Sequence, residues 1–276
     1  MIQNTFTTPF SSEVLARNIR IQCIYMVHRA NASHIGSALS IADIMAVLYC
    51  TVLGKDKDNP EWKDRDRFIL SKGHACVAIY AVLAESGYFD KSELESYGTD
   101  YSNFMTHISH KVPGVEFSTG SLGHGLPFGV GKALAAKKQG SDWRTFVLLG
   151  DGEMDEGSNW EAMMFASHHQ LDNLVAIIDY NKLQSLTTVA DTLGIEPLAH
   201  KLEAFGWCAK EIDGHDHTSL ELALSSTPWE NGKPSVLIAH TVKGKGVSYM
   251  ENSVDWHYKS PNDQQLAQAL SDLGGN

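Results

Sequence analysis

The sequence predicts an α/β fold, an open and mainly parallel sheet covered by helices on both faces, and three observations carry that prediction. Short apolar runs without polar alternation recur at 68–70, 146–149, 174–178 and 235–239, the signature of strands buried on both sides. Segments with apolar residues at helical spacing lie between them. Each run then stops at a cluster of Gly, Asp, Asn, His or Lys, in the segments SKGH, GDGE, YNK and HTVKGKG. Open parallel sheets bind their ligands at the carboxyl ends of their strands.

The elements follow in order. Residues 13–32 place Val14, Leu15, Ile19, Ile21, Ile24 and Tyr25 at the spacing of an amphipathic helix, and 39–53 read as a second, more buried one. Strand 68–70 ends in the turn Ser71-Lys72-Gly73-His74, and a helix resumes over 75–86. Asp90 with Glu93 is a helix-start capping pair. Residues 98–124 are rich in Gly, Ser, Thr and His and show no periodicity; so long a loop inside one domain is usually functional. Helix returns over 125–138, strand 146–149 runs into Gly150-Asp151-Gly152, and a helix covers 157–170. Strand 174–178 ends at Asp179-Tyr180-Asn181, and 196–205 is helical. Thr218 and Glu221 pair as the cap of a helix through about Ser225, strand 235–239 leads into Val242-Lys243-Gly244-Lys245-Gly246, and Asn262 caps a short final helix. No linker or repeat interrupts the pattern, so 1–276 reads as a single domain.

Composition removes several classes of function. Hydrophobic residues make up 43% and charged residues 20% of the 276, enough for a sizeable core. Lys plus Arg number 22 against 33 Asp plus Glu, a net charge of -11, which argues against a nucleic-acid partner. A phosphorylated small substrate stays open, because a local site can oppose the net charge. Cys23, Cys50, Cys76 and Cys208 form no CxxC pair and sit in apolar stretches, so they read as buried free thiols of a reducing cytoplasm. The N-terminal MIQNTFTTPF lacks the basic and apolar regions of a signal peptide. The longest nearly apolar stretch, 41–54, is interrupted by Asp43 and too short to span a membrane.

The chemistry gathers at the strand ends. In Gly150-Asp151-Gly152-Glu153 the glycines allow a close backbone approach to a ligand. The helix start offers N–H groups to a phosphate, and Asp151 can hold a hard divalent cation beside it. Thirty residues later, one helix and one strand on, comes Asn181. Adjacent strand ends of a βαβ unit lie side by side, so Asp151 and Asn181 can share one metal with a loop carbonyl as a third ligand. Alone, the Gly-Asp-Gly is an ordinary strand–turn–helix connection; followed by Asn at this spacing it is far more specific. It is neither a P-loop nor a dinucleotide fingerprint, since the third glycine position of the latter holds Asp155.

This pattern matches the diphosphate-binding motif of thiamine diphosphate enzymes. Over nearly its whole length the chain resembles the N-terminal, diphosphate-binding half of transketolase in its split, two-subunit form. The matching segments are HIGSALSIADIM, SKGHA, PGVEFSTGSLGHG, GDGEMDEGSNWEA, LDNLVAIIDYNKLQ, DGHDH and KGKGVSYMENSVDWH. The resemblance implies thiamine diphosphate and Mg²⁺ (or Ca²⁺) as cofactors. Asp151, Asn181 and the Leu183 carbonyl correspond to the metal ligands, and Gly152 to the residue giving an N–H to the diphosphate. His74 and His257 are similar to histidines beside the diphosphate, and Gly120 and Leu122 to the loop meeting the cofactor rings. His34 and His107 resemble substrate-facing histidines, and Glu156 an acid linking paired active sites across a dimer interface.

Further expectations attach to the resemblance. His110 and His124 lie in the functional loop without an assigned role, and His168, His169 and His200 read as surface or packing residues. Asp213, His215, Asp216 and His217 read as a turn before the next helix, with no metal assigned. Lys243 and Lys245 belong to a loop closing over the cofactor. Ser33-His34-Ile35-Gly36 stands where the family usually has Gly-His-Pro-Gly, and NKLQSLTTV lacks the family's Asp-Gly pair. A separate C-terminal transketolase subunit, with the pyrimidine-binding domain and activating glutamate, is the implied partner, in an α2β2 assembly acting on sugar phosphates. Two alternatives stand beside this reading: a related subunit of a 2-oxo-acid dehydrogenase, and a non-catalytic scaffold of the same fold.

Overall fold

The computed structural model describes residues 11–275; the N-terminal segment read above as no signal peptide lies outside the described residues. Five strands form one sheet in the order β1-β2-β3-β5-β4, every neighbouring pair parallel. They are β1 (Arg67–Leu70), β2 (Thr145–Gly150), β3 (Leu174–Tyr180), β4 (Cys208–Asp213) and β5 (Ser235–His240). Alternate side chains point to opposite faces, and each face has its own core. Phe68, Leu70, Phe146, Leu148, Val175, Ile177 and Leu237 join one. Ile69, Val147, Leu149, Ala176, Ile178 and Val236 join the other. The first face is covered by α1 (Ser12–Ala30), α2 (Ile35–Leu39), α3 (Ala42–Val47), α4 (Cys76–Glu85), α9 (His217–Ser225) and α10 (Asp263–Asp272). The second is covered by α5 (Gly125–Gln139), α6 (Gly157–His168) and α8 (Leu198–Ala204), with the single turn α7 (Val189–Thr192) nearby. Among the described residues no helix is long and apolar enough to cross a membrane.

Five expectations need correction. The helix expected over 39–53 is broken: α2 ends at Leu39, and a π turn, Leu48–Val52, follows α3. The Ser40 hydroxyl at that break donates to Ser37 O and Asp179. Strand β4 is additional to the predicted strands; it is an edge strand whose middle residues, Lys210 and Glu211, are both exposed. The cap of α9 is Asp216, whose carboxylate accepts from the N–H groups of Thr218 and Ser219, so the Thr218–Glu221 pairing is displaced by two residues. Asp90 does cap a helix, but one of 3₁₀ type, Lys91–Ser96. No disulfide joins the four cysteines; Cys23, Cys50 and Cys76 are buried as expected, while Cys208 on the edge strand is only half-buried. At the last helix Asn262 forms the expected cap, completed as a capping box by Gln265.

Candidate active site

The carboxyl ends of β1, β2, β3 and β5 open into a cavity of about 310 Å³ lined by His34, His74, His107, Asp151, Asn181 and His257 among others. Gly120, Leu122, Gly152 and Leu183 also line it. Ten of the eleven residues expected to act together therefore converge, although they come from segments more than two hundred residues apart in the chain. The eleventh, Glu156, does not line the cavity; it is exposed at the N-terminus of α6, and its side chain makes no capping bond.

The metal-ligand candidates sit side by side because β2 and β3 are in register from Thr145–Leu174 to Gly150–Asp179. Asp151 is 3% exposed, and its two oxygens accept from the N–H groups of Gly152 (2.7 Å) and Lys182 (2.6 Å). Asn181 Oδ1 accepts from Leu183 N at 3.1 Å, and its amide donates to Asp179 at 3.0 Å. Leu183 O accepts from Lys243 Nζ at 2.9 Å. A carboxylate, an amide oxygen and a peptide carbonyl are hard donors that suit Mg²⁺ or Ca²⁺. Burial, then the charge of Asp179, pushes the Asp151 carboxyl up to about 7, so an adjacent cation would be a strongly favourable neighbour. The residues present fit a divalent ion. The helical start after Asp151 is a single 3₁₀ turn, Gly152–Asp155, and α6 begins only at Gly157.

The histidines form one cluster. The His34 ring centroid lies 5.2 Å from that of His74, 5.8 Å from His107 and 5.1 Å from His257. His34 adopts φ 71°, a left-handed conformation that non-glycine residues rarely hold, and its N–H donates to His257 O at 2.7 Å. The segment carrying His107 is fixed by Tyr80, whose hydroxyl donates to His107 O and accepts from Ser109 N, both at 3.1 Å. Burial, then the charges of His107, Lys243 and Lys72, lowers His34 to about 4; burial, then Lys243, lowers His257 to about 3. His74 is pushed well below its usual value by burial and then Lys72. These three rings are neutral at pH 7, able both to donate and to accept.

A model of the transketolase thiamine diphosphate binding domain matches residues 11–276. The chain belongs to the transketolase family. It is 45% identical over 266 residues to the first of the apulose-4-phosphate transketolase subunits of Actinobacillus succinogenes, covering 95% of each chain. It is 40% identical over 261 residues to the protein of the same name from Phocaeicola vulgatus, covering 95% of this chain and 93% of that one. The solved transketolase of Leishmania mexicana matches with a TM-score of 0.90 at 31% identity over 97% of this chain, which spans 42% of that longer one.

The transketolase cavity also holds residues to which the sequence alone assigns no role. Lys72 is buried in an ion pair with Asp179, which further accepts from Ser40 and Thr241. Burial would raise the Asp179 carboxyl, but Lys72 and these donors outweigh it and hold it below its usual value. Glu153, 1% exposed, ties the ends of β1 and β2 to the loop before α5 by accepting from Ser71 Oγ, Gly150 N and Gly123 N. Lys243 is 1% exposed and donates to Leu183 O, Gln184 O and His257 Nδ1, so it reaches the cavity as expected of its loop. Lys245 instead lies at the surface, 3.9 Å from Glu251. The strand-end positions of Lys72, Glu153 and Asp179 were the available signal.

The neutral histidines make stability depend on pH. An unfolded histidine titrates near about 6.5, whereas His34 and His257 titrate near 4 and 3 when folded. At these two residues the folded chain therefore binds fewer protons between those values, and the stability they contribute above about pH 6.5 is lost as pH falls toward 4. The cofactor-free chain is expected to melt at lower temperature at pH 5 than at pH 7. A His34→Asn/His257→Asn double variant should show a flatter profile; equal slopes for both chains would contradict the assignment.

Proposed function

We propose that this chain is the diphosphate- and metal-holding subunit of a split transketolase-type enzyme. With a partner subunit it transfers a two-carbon ketol unit between sugar phosphates or modified sugars. The observation that carries this reading is the convergence of an Asp151, Asn181 and Leu183 oxygen set with four histidines on one cavity. The relatives whose names make them single subunits of a transketolase support the split arrangement. The substrate in their names, apulose-4-phosphate, points to a phosphorylated ketose here too.

Asp151, Asn181 and the Leu183 carbonyl would hold Mg²⁺ or Ca²⁺. Thiamine diphosphate, when bound, supplies a nucleophilic carbon and an electron sink. Lys243 provides positive charge on that side of the cavity, and His74 and His257 provide neutral donors beside the diphosphate. The Gly152 N–H, which donates to Asp151 here, would be the main-chain donor for the diphosphate. Gly120 and Leu122 bear on the cofactor rings. His34 and His107 hold the sugar hydroxyls and move protons to and from the substrate oxygen, work suited to imidazoles near neutral pH. Glu156 joins paired sites across a dimer interface in an α2β2 assembly, and the partner's pyrimidine-binding domain contributes the activating glutamate. The cytoplasm is the proposed location.

Assaying ketose donors against pyruvate with an electron acceptor tests the reaction class. Ketol transfer to an aldose supports the proposal, and pyruvate oxidation would replace it with a 2-oxo-acid dehydrogenase. His107→Ala is expected to lower turnover about a hundredfold, a typical contribution of proton-transfer residues. Cofactor affinity should change far less. If affinity collapses and turnover at saturating cofactor is normal, His107 is not a substrate-facing residue.

A further inference from the structure

We propose that His215 is a positioning residue that anchors the strap delivering Lys243 to the cavity. It does so by accepting a hydrogen bond from the main chain one residue before that lysine; the cofactor arm of the argument rests on the transketolase-type reading.

His215 lies in the turn between β4 and α9. Its Nε2 accepts from Val242 N at 2.9 Å, and its Nδ1 lies 2.6 Å from Asp43 Oδ2. A backbone N–H only donates, so Nε2 is the acceptor and Nδ1 carries the proton given to Asp43. One contact thus fixes both the tautomer and the direction of the ring. Asp43 is itself held by Arg20, whose Nη1 and Nη2 lie 3.0 and 2.5 Å from its two oxygens, and by His217 Nε2 at 3.1 Å. His217 Nδ1 in turn meets Ser12 Oγ at 2.7 Å. Helix α1, helix α3 and the turn before α9 therefore meet on one buried carboxylate, and His215 reaches from it to the strap.

The strap passes directly from that contact into the site. Lys243 follows Val242, and its ammonium spends all three hydrogens on Leu183 O (2.9 Å), Gln184 O (2.8 Å) and His257 Nδ1 (3.0 Å). Its stem runs so close to Gly36 that a Cβ added there would lie 3.2 Å from Lys243 Cγ. On the far side Gly244 N donates to Gly36 O and Asn252 N to Lys243 O. Those bonds hold the strap after Lys243; His215 holds it before. An error of about an ångström at Val242 moves the ammonium away from the acceptors that define the cavity wall. The two histidines of the DGHDH segment thus belong to a positional frame behind the active site.

Three substitutions test this. His215→Phe keeps the ring volume without either nitrogen, and His215→Asn keeps a donor for Asp43 but is too short for Val242. His215→Gln offers an amide oxygen at the reach of Nε2. In the full chain without cofactor, hydrogen exchange at Val242 should rise roughly tenfold in the Phe and Asn variants, the order of one hydrogen bond, and return toward wild type with Gln. In the chain with its partner subunit, calorimetry with thiamine diphosphate and Mg²⁺ should show roughly five- to tenfold weaker binding for His215→Phe. Adding His215→Phe to Lys243→Met should weaken binding no further than Lys243→Met alone, because the two act through one group. Unchanged exchange at Val242, or full additivity in the double variant, would overturn the proposal. If the wild-type assembly binds no thiamine diphosphate, the functional reading falls, and the exchange measurement still decides whether His215 anchors the strap.

Discussion

Asp151→Ala and Asn181→Ala are each expected to abolish divalent-ion-dependent thiamine diphosphate binding while the fold persists. Both side chains end in oxygen, sit on adjacent strand ends and line one cavity with the Leu183 carbonyl. Losing a group that merely supports a metal ligand costs about 10–100-fold in affinity, so losing a ligand itself should cost at least about a hundredfold. The fold should survive, because Asp151 is more stable without its charge when no cation is near: burial and Asp179 already push its carboxyl up to about 7. Calorimetry with Mg²⁺ and melting curves provide the check. Unchanged affinity in both variants would refute the metal assignment.

Lys72→Met is expected to destabilise the chain by about 3–5 kcal/mol, the usual cost of stranding one partner of a buried ion pair. The side chains of Lys72 and Asp179 are 2% and 0% exposed. Ser40, Asn181 and Thr241 would still donate to Asp179, but none brings a positive charge. For a chain of this size the loss corresponds to a fall in melting temperature of roughly 10 °C. The double variant Lys72→Met/Asp179→Asn should recover much of it, since the remaining polar groups can pair without a charge. A single variant that melts like the wild type would show that the pair contributes little.

Strands β1, β2, β3 and β5 and the cavity were legible because buried parallel strands leave uninterrupted apolar runs, and their ends collected the polar residues. Strand β4 was not: at the sheet edge none of its residues is fully buried and Glu211 faces solvent, so CAKEID carries no apolar run. The break between α2 and α3 was hidden for a different reason. Every residue there is buried whatever the helix does, and Ser40 is drawn to Asp179 by a contact 139 positions away in sequence. The same distance problem concealed Lys72, Glu153 and the frame around Asp43. Their partners lie in other segments, and a buried charge cannot be told from an exposed one by its neighbours in the chain. The neighbouring placement of Asp151 and Asn181 was visible because a βαβ unit converts a fixed sequence spacing into proximity.

In the proposed arrangement this chain holds half of a cofactor site that a second chain completes. Purified alone, it should show no ketol transfer; mixed with a separately encoded subunit carrying a pyrimidine-binding domain, it should turn over a ketose donor and an aldose acceptor. An uncovered cofactor would leave its reactive carbon open to water and competing reactions. The measurement is ketol transfer by the lone chain against the two subunits together, at saturating thiamine diphosphate and Mg²⁺. Activity only in the mixture is the predicted result, and full turnover by the lone chain would contradict it.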